Sequence, residues 1–289
     1  MQNNAVLTVF LPLALAVVMI GLGLHLSVAD FRRVWVMPRA VLVALAVQTL
    51  LLPPVALAMG LYLGMPPEMA LGLVLLSAAP GGVTANLFSH LARGDLALNI
   101  TLTAINSVLA LVTLPLWVAL GMRLFLGAEG AVPPPMGKIV EVAVLVIVPV
   151  ALGMVIRGFA PALASRLDRP VRILSTLVLA GLIAVAVVKE WDLIREHAPR
   201  VGVLMVGFNL LSLLAGYTAG RLARLDLAKS TAIAFEIGIH NSTIAIYIAL
   251  EVLARPAAAI APGLYSLSMY VTAGLFAMWI LRRRAAGET

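Results

Sequence analysis

The stretch AIAFEIGIHNSTIAIYIAL, Ala232 to Leu250, is apolar over a length that a bilayer would bury, yet its middle carries Glu236, His240, Asn241, Ser242 and Thr243 around Gly238. Glu236 is the only carboxylate at the centre of any apolar segment of the chain. An unpaired charge there costs roughly 2.5 to 3.5 kcal/mol on insertion scales, and a bound cation or proton removes that cost. A second unusual stretch, SAAPGGVTANLFSH from Ser77 to His90, has Pro80, Gly81 and Gly82 in mid-segment, with Thr84 and Asn86 just beyond. Proline lacks the helix donor and glycine lacks the side chain that restrains backbone, so a helix is expected to break here.

A broken helix has two chemically distinct inner ends. The second half begins with free N–H groups, near Val83 to Ala85 in one segment and Asn241 to Thr243 in the other; such ends favour an anion. The first half ends in free carbonyls, near Ala78 and Ala79 and near Ile237 to Ile239, and with Glu236 these favour a cation. Non-helical backbone survives at membrane depth only where protein or water covers it, so two breaks imply one shared polar site inside a helix bundle.

Composition says what kind of elements hold that site. With 62% hydrophobic and 11% charged residues over 289 positions and a mean hydropathy of +1.08, the chain reads as an all-α polytopic membrane protein. The formal charge of +7 is scattered, with no basic run longer than Arg282-Arg283-Arg284, which argues against nucleic acid as a partner. No obligatory protein partner is evident. The absence of cysteine excludes disulfides, thiolate metal sites and thiol catalysis. The start, Met1 to Asn4, has no basic n-region, so the first apolar segment is expected to remain as a span.

Nine segments reach the length of roughly 20 residues that a bilayer requires: about 5–27, 38–63, 67–93, 95–126, 136–158, 170–191, 200–223, 227–253 and 257–281. They make a single transmembrane domain over 1–289. The two unusual segments are the third and the eighth, so they run in opposite directions. Each is next to last in its half if repeat one is 1–126, with four spans, and repeat two is 136–284, with five. This is the layout of an inverted-topology repeat whose first half lacks its opening helix. Fourteen of the 20 Lys and Arg fall on one side of the nine spans, which predicts an outside N-terminus and a cytoplasmic C-terminus in the cell (inner) membrane.

PGGVTANLFSHLARGDLALNITLT (Pro80 to Thr103), EIGIHNS (Glu236 to Ser242) and GLGLHLSVADF (Gly21 to Phe31) together resemble the bile acid:sodium symporter family, over essentially the whole chain. The resemblance implies the nine-span form of that fold, with a panel domain, a core domain and two crossing discontinuous helices in the core. It also implies alternating-access symport of an organic anion, bile acid-like or a small carboxylate, with Na+. Carried over by motif, a first sodium site falls on Asn86, Thr103 and Glu236, with Asn99 where serine is usual and Ala85 where serine is common. A second falls on Gln48, Glu236 and the carbonyls of Ile237 and Ile239, with His240 where glutamine is usual. The anion is expected at Gly82, Val83, Thr84, Asn241 and Ser242.

Plainer roles compete. Asn86, Asn99 and Thr103 also suit interhelical hydrogen bonding, and His240 suits either a neutral bonded imidazole or a proton carrier. His25, His90 and His197 read as solvated. A metalloprotease needs H-E-x-x-H, and Glu236 with His240 gives only E-x-x-x-H, so no enzyme is expected. The nearest rival is a proton-coupled organic anion transporter or a cation/proton antiporter on the same repeat. An antiporter of that kind usually carries an intramembrane Asp pair or Asp–Lys pair, and neither is present.

Overall fold

The computed structural model describes residues 5–130 and 136–286, all helical apart from turns. The Met1 to Asn4 start and part of the expected 127–135 connection lie outside the described residues. The helices are α1 (Ala5–Gly23), α2 (Val28–Arg32), α3 (Pro38–Ala46), α4 (Leu52–Tyr62), α5 (Pro67–Ala78), α6 (Val83–Leu91), α7 (Leu96–Gly130), α8 (Met136–Phe159), α9 (Pro161–Lys189), α10 (Trp191–Leu222), α11 (Leu227–Gly238), α12 (Ser242–Tyr247) and α13 (Ile260–Ala285). Each expected span coincides with one of these or with a consecutive pair. Among the described residues four helical runs are long and apolar enough to cross a membrane: Pro38–Tyr62, Leu96–Gly127, Trp191–Leu222 and Pro256–Ala285. A bent pair, Leu15–Gly23 with Val28–Trp35, makes a fifth if counted as one span.

The third and eighth segments are broken where the sequence indicates. Pro80 pushes the residue before it out of the helical region, and Ala79 is extended at φ −71°, ψ 146°. Gly82 is extended too, at φ −95°, ψ 163°. In the eighth segment α11 ends at Gly238 and α12 begins at Ser242, continued by a π turn over Ile248–Val252. A second π turn, Val47–Leu51, precedes Pro53. Pro53 has no N–H for the Thr49 carbonyl one turn back, and the Trp117 indole N–H fills that place at 3.2 Å.

The two broken segments run antiparallel. At one end of the molecule the turn between α6 and α7 meets the start of α11 and the end of α13, with Asp95 N–H donating to Ala228 at 3.0 Å and Arg284 to the Arg93 carbonyl at 2.9 Å. At the other end Arg255, beyond the π turn, pairs with Glu68 at the start of α5 at 2.8 Å. Both segments are sheathed by protein: Met69 to Gly82 and Ser230 to Leu250 are buried throughout. Peripheral helices instead expose Leu50, Val112, Leu177, Val203 and Val271, as a bilayer solvent permits. Close packing of α10 on α11 depends on Gly216, where a Cβ would come within 2.9 Å of the Ala234 backbone.

Candidate functional site

The breaks meet. Gly81 and His240 form an isolated antiparallel bridge, with Gly82 N–H donating to the Ile239 carbonyl at 2.9 Å and Asn241 N–H to the Pro80 carbonyl at 2.8 Å. Four backbone groups freed by interrupting two helices thus satisfy one another, and the remaining free groups are brought to a common centre.

Glu236 is fully buried on one side of this bridge. Its Oε2 accepts from Thr103 Oγ1 at 2.6 Å and Asn99 Nδ2 at 2.9 Å, and its Oε1 from Asn106 Nδ2 at 3.1 Å. The Gly81 backbone packs against the carboxylate, and a Cβ there would come within 2.5 Å of both its oxygens. Asn99, Thr103 and Asn106 lie on one face of α7 at i, i+4 and i+7. Asn106 extends the expected pair by one turn, and the same spacing in the sequence marks it. No Lys or Arg contacts the carboxylate among the described residues; its partners are neutral donors. The amide oxygens of Asn99 and Asn106, and both amide atoms of Asn86, are buried without a hydrogen-bond partner. Unpaired oxygens around a buried carboxylate are a donor set that suits a hard cation.

The residues expected at a second ion site are arranged differently. Gln48 Nε2 donates to the carbonyls of Ser77 and Ala79, both at 3.0 Å, capping the carbonyl end of α5 and making no bond to Glu236. His240 Nδ1 lies 3.3 Å from the same Ala79 carbonyl, and its ring packs in a cluster with Phe208 and Tyr265. The Ile239 carbonyl is the acceptor of the bridge. A further cluster holds the carbonyl end of α11: Gly238 O accepts from Asn209 Nδ2 at 2.6 Å and Tyr265 Oη at 2.8 Å, while Thr272 donates to Asn209 Oδ1. Nothing in the sequence pairs Asn209, Tyr265 and Thr272 with Gly238, because Asn209 comes from α10 and Tyr265 and Thr272 from α13.

The five residues expected to face the anion all line one cavity of about 330 Å³. Its floor is the bridge, with Gly82 to Thr84 on one side and His240 to Thr243 on the other. From there it runs toward the end of the molecule that holds His25, His90 and Arg172. The sequence reading of His25 as solvated is only partly right: it bonds Gly21 O at 2.8 Å and Asp168 at 2.9 Å, and Arg172 pairs with the same Asp168. His197 instead bonds the Leu193 carbonyl at 3.2 Å in a peripheral turn.

The family model described as "Sodium Bile acid symporter family" matches residues 12–197. An uncharacterized sodium-dependent transporter, YocS, of Bacillus subtilis is 24% identical over 270 residues, covering 93% of this chain and 79% of the relative. A probable chloroplastic sodium/metabolite cotransporter, BASS1, of Arabidopsis thaliana is 25% identical over 85% of this chain and 60% of its own length. The mouse sodium/bile acid cotransporter 5 is 30% identical over 78% of this chain and 52% of its own. The chain therefore spans between about half and four-fifths of the length of these relatives.

Proposed function

The chain belongs to the sodium bile acid symporter family, and from that premise we propose that it carries an organic anion across the membrane together with sodium. It is a multi-pass membrane transporter of a sodium-dependent family and not an enzyme.

One observation carries the coupling: the Gly81-Gly82 pair joins the two sites. The Gly81 backbone packs directly against the Glu236 carboxylate, while the next residue, Gly82, lines the cavity. A cation held by Glu236, Asn99, Thr103 and Asn86 would fix the position of the Pro80–Gly82 backbone, and with it the N–H groups of Val83 and Thr84 that face the anion. Asn106 is added to the cation set. Cargo bound at Gly82, Val83, Thr84, Asn241 and Ser242 would then bind more tightly when sodium is present, and the reverse follows by linkage.

The inverted repeat is part of this reading. Positive-φ Gly64 and Arg224, positive-φ Arg93 and Ala254, and bridged Gly81 and His240 form three pairs, the later member lying 159 to 161 positions further along each time. That near-constant spacing supports two related units, one within 1–126 and one within 136–284, meeting about a two-fold axis at the bridge. In this account α1, α8 and α9 form the panel and the remaining helices the core. The cavity opens at the end rich in arginine, read as cytoplasmic. At the other end α8 packs against the Ile248–Val252 turn and α9 against Pro256–Ala259. Rocking of core on panel would exchange these contacts and expose the anion to the opposite side.

Thermal-shift screening of organic anions, with and without sodium, tests the reading, because a bound ligand raises stability by mass action. An anion whose stabilisation requires sodium is the expected result. Stabilisation by anions that ignores sodium counts against coupling.

A further inference from the structure

We infer that this chain binds a single sodium ion, at the Glu236–Asn99–Thr103 side of the bridge, and that fixed N–H and O–H donors of the protein take the place of a second. The inference rests on the sodium-coupled reading above and concerns its stoichiometry.

Two groups of backbone carbonyls end at the breaks, and each needs either a cation or a donor. A carbonyl oxygen has two lone pairs. At Ala79 both are engaged, by Gln48 Nε2 at 3.0 Å and His240 Nδ1 at 3.3 Å. At Gly238 both are engaged, by Asn209 Nδ2 and Tyr265 Oη. Ile239 O already receives the Gly82 N–H at 2.9 Å. The orientation of the Gln48 amide is settled by its bonds to two carbonyls: turned over, its oxygen would face both of them. Gln48 therefore presents hydrogen, not oxygen, to the carbonyl end of α5. With Nδ1 donating, the His240 imidazole offers at most one nitrogen lone pair, a poor ligand for a hard cation that prefers oxygen.

The contrast lies across the bridge. There acceptors are left over: Asn99 and Asn106 each have an amide oxygen without a partner and both are buried, while Asn86 on α6, unpartnered at both amide atoms, lines the cavity. The amide groups of Asn99 and Asn106 meet the carboxylate through nitrogen, so rotation of either would bring an oxygen to the same space. Gln48 Oε1 is also unpartnered, on the opposite side. It makes no hydrogen bond to Glu236, whose two oxygens are engaged by α7.

Counting bound 22Na+ by equilibrium dialysis on the purified full chain tests this directly, with transport activity playing no part. One equivalent per chain is expected, and Asn99→Leu should reduce it to none while the melting temperature stays within a few degrees of the parent. Two equivalents in the parent protein would overturn the inference and leave sodium coupling standing. No bound sodium in the parent would overturn the sodium reading itself, and the inference with it. If folded Asn99→Leu kept its equivalent, the ion would sit elsewhere and the assignment would fail. Should that variant not fold, the count on the parent protein still decides, as does the sodium dependence of uptake, expected at a Hill slope near one and contradicted by a slope near two.

Discussion

Gly81 lies so close to Glu236 that a Cβ built on it would overlap the carboxylate carbon and both carboxylate oxygens. The residue that breaks the third segment is also the one against which the buried charge rests. At Gly82, by contrast, a Cβ would stand 3.6 Å from Thr84 Oγ1 and 3.7 Å from the His240 carbonyl, which is ordinary contact.

Gly81→Ala is therefore a small change that acts directly on the buried carboxylate. Overpacking of this kind costs typically 1–3 kcal/mol, and here the displaced group is the carboxylate. A lowered melting temperature and a loss of sodium binding of about 10-fold or more are expected from thermal unfolding and dialysis. A variant with parental sodium affinity would show that the carboxylate does not depend on this contact.

Gly82→Leu separates the two ligands. The site tolerates a Cβ, and the longer side chain extends toward the cavity floor, so anion binding should fall at least about 10-fold while sodium binding is largely kept. The motive is close approach of backbone to ligand, which glycine permits. Calorimetry with each ligand in turn reads the split, and unchanged anion affinity would remove Gly82 from the binding surface.

Glu236→Gln keeps the shape and loses the charge. Thr103, Asn99 and Asn106 all donate to this side chain, and an amide presents its own N–H groups to some of them. An unsatisfied buried donor costs about 1–3 kcal/mol, so the fold should survive with a reduced melting temperature. Sodium-dependent uptake should disappear. Uptake in vesicles with parental sodium dependence would contradict the role given to the carboxylate.

Asn209→Leu tests what holds the second break. It leaves the Gly238 carbonyl with Tyr265 alone and turns the Thr272 hydroxyl back to the Ser268 and Met269 carbonyls it also reaches. Removing a buried partner costs about 1–3 kcal/mol, whereas Tyr265→Phe deletes one donor and should cost about 1 kcal/mol. Chemical unfolding of both variants gives the ranking, and equal, near-zero effects would mean that the cluster does not restrain the α11 end.

Much of the fold was legible because a bilayer permits few solutions. Segment lengths located the helices, and Pro80-Gly81-Gly82 located one break through local backbone chemistry alone. The face formed by Asn99 and Thr103 was legible from helical spacing, and Asn106 lies on it one turn further. What the sequence could not carry were contacts between distant helices. The hold of Asn209 and Tyr265 on Gly238, and the pairing of His25 with Asp168, depend on which faces pack together. The direction of the Gln48 amide was likewise hidden: a glutamine reads equally as donor or acceptor until its two carbonyl partners are in view.

The central claim is that sodium at Glu236 drives an anion through the cavity beyond Gly82. Uptake of an anion found by the thermal-shift screen, in proteoliposomes with an imposed gradient, tests it most directly. An inward sodium gradient should produce accumulation that collapses when sodium is equal on both sides and is absent in Glu236→Gln. Accumulation that ignores sodium and follows an imposed proton gradient instead would contradict the account.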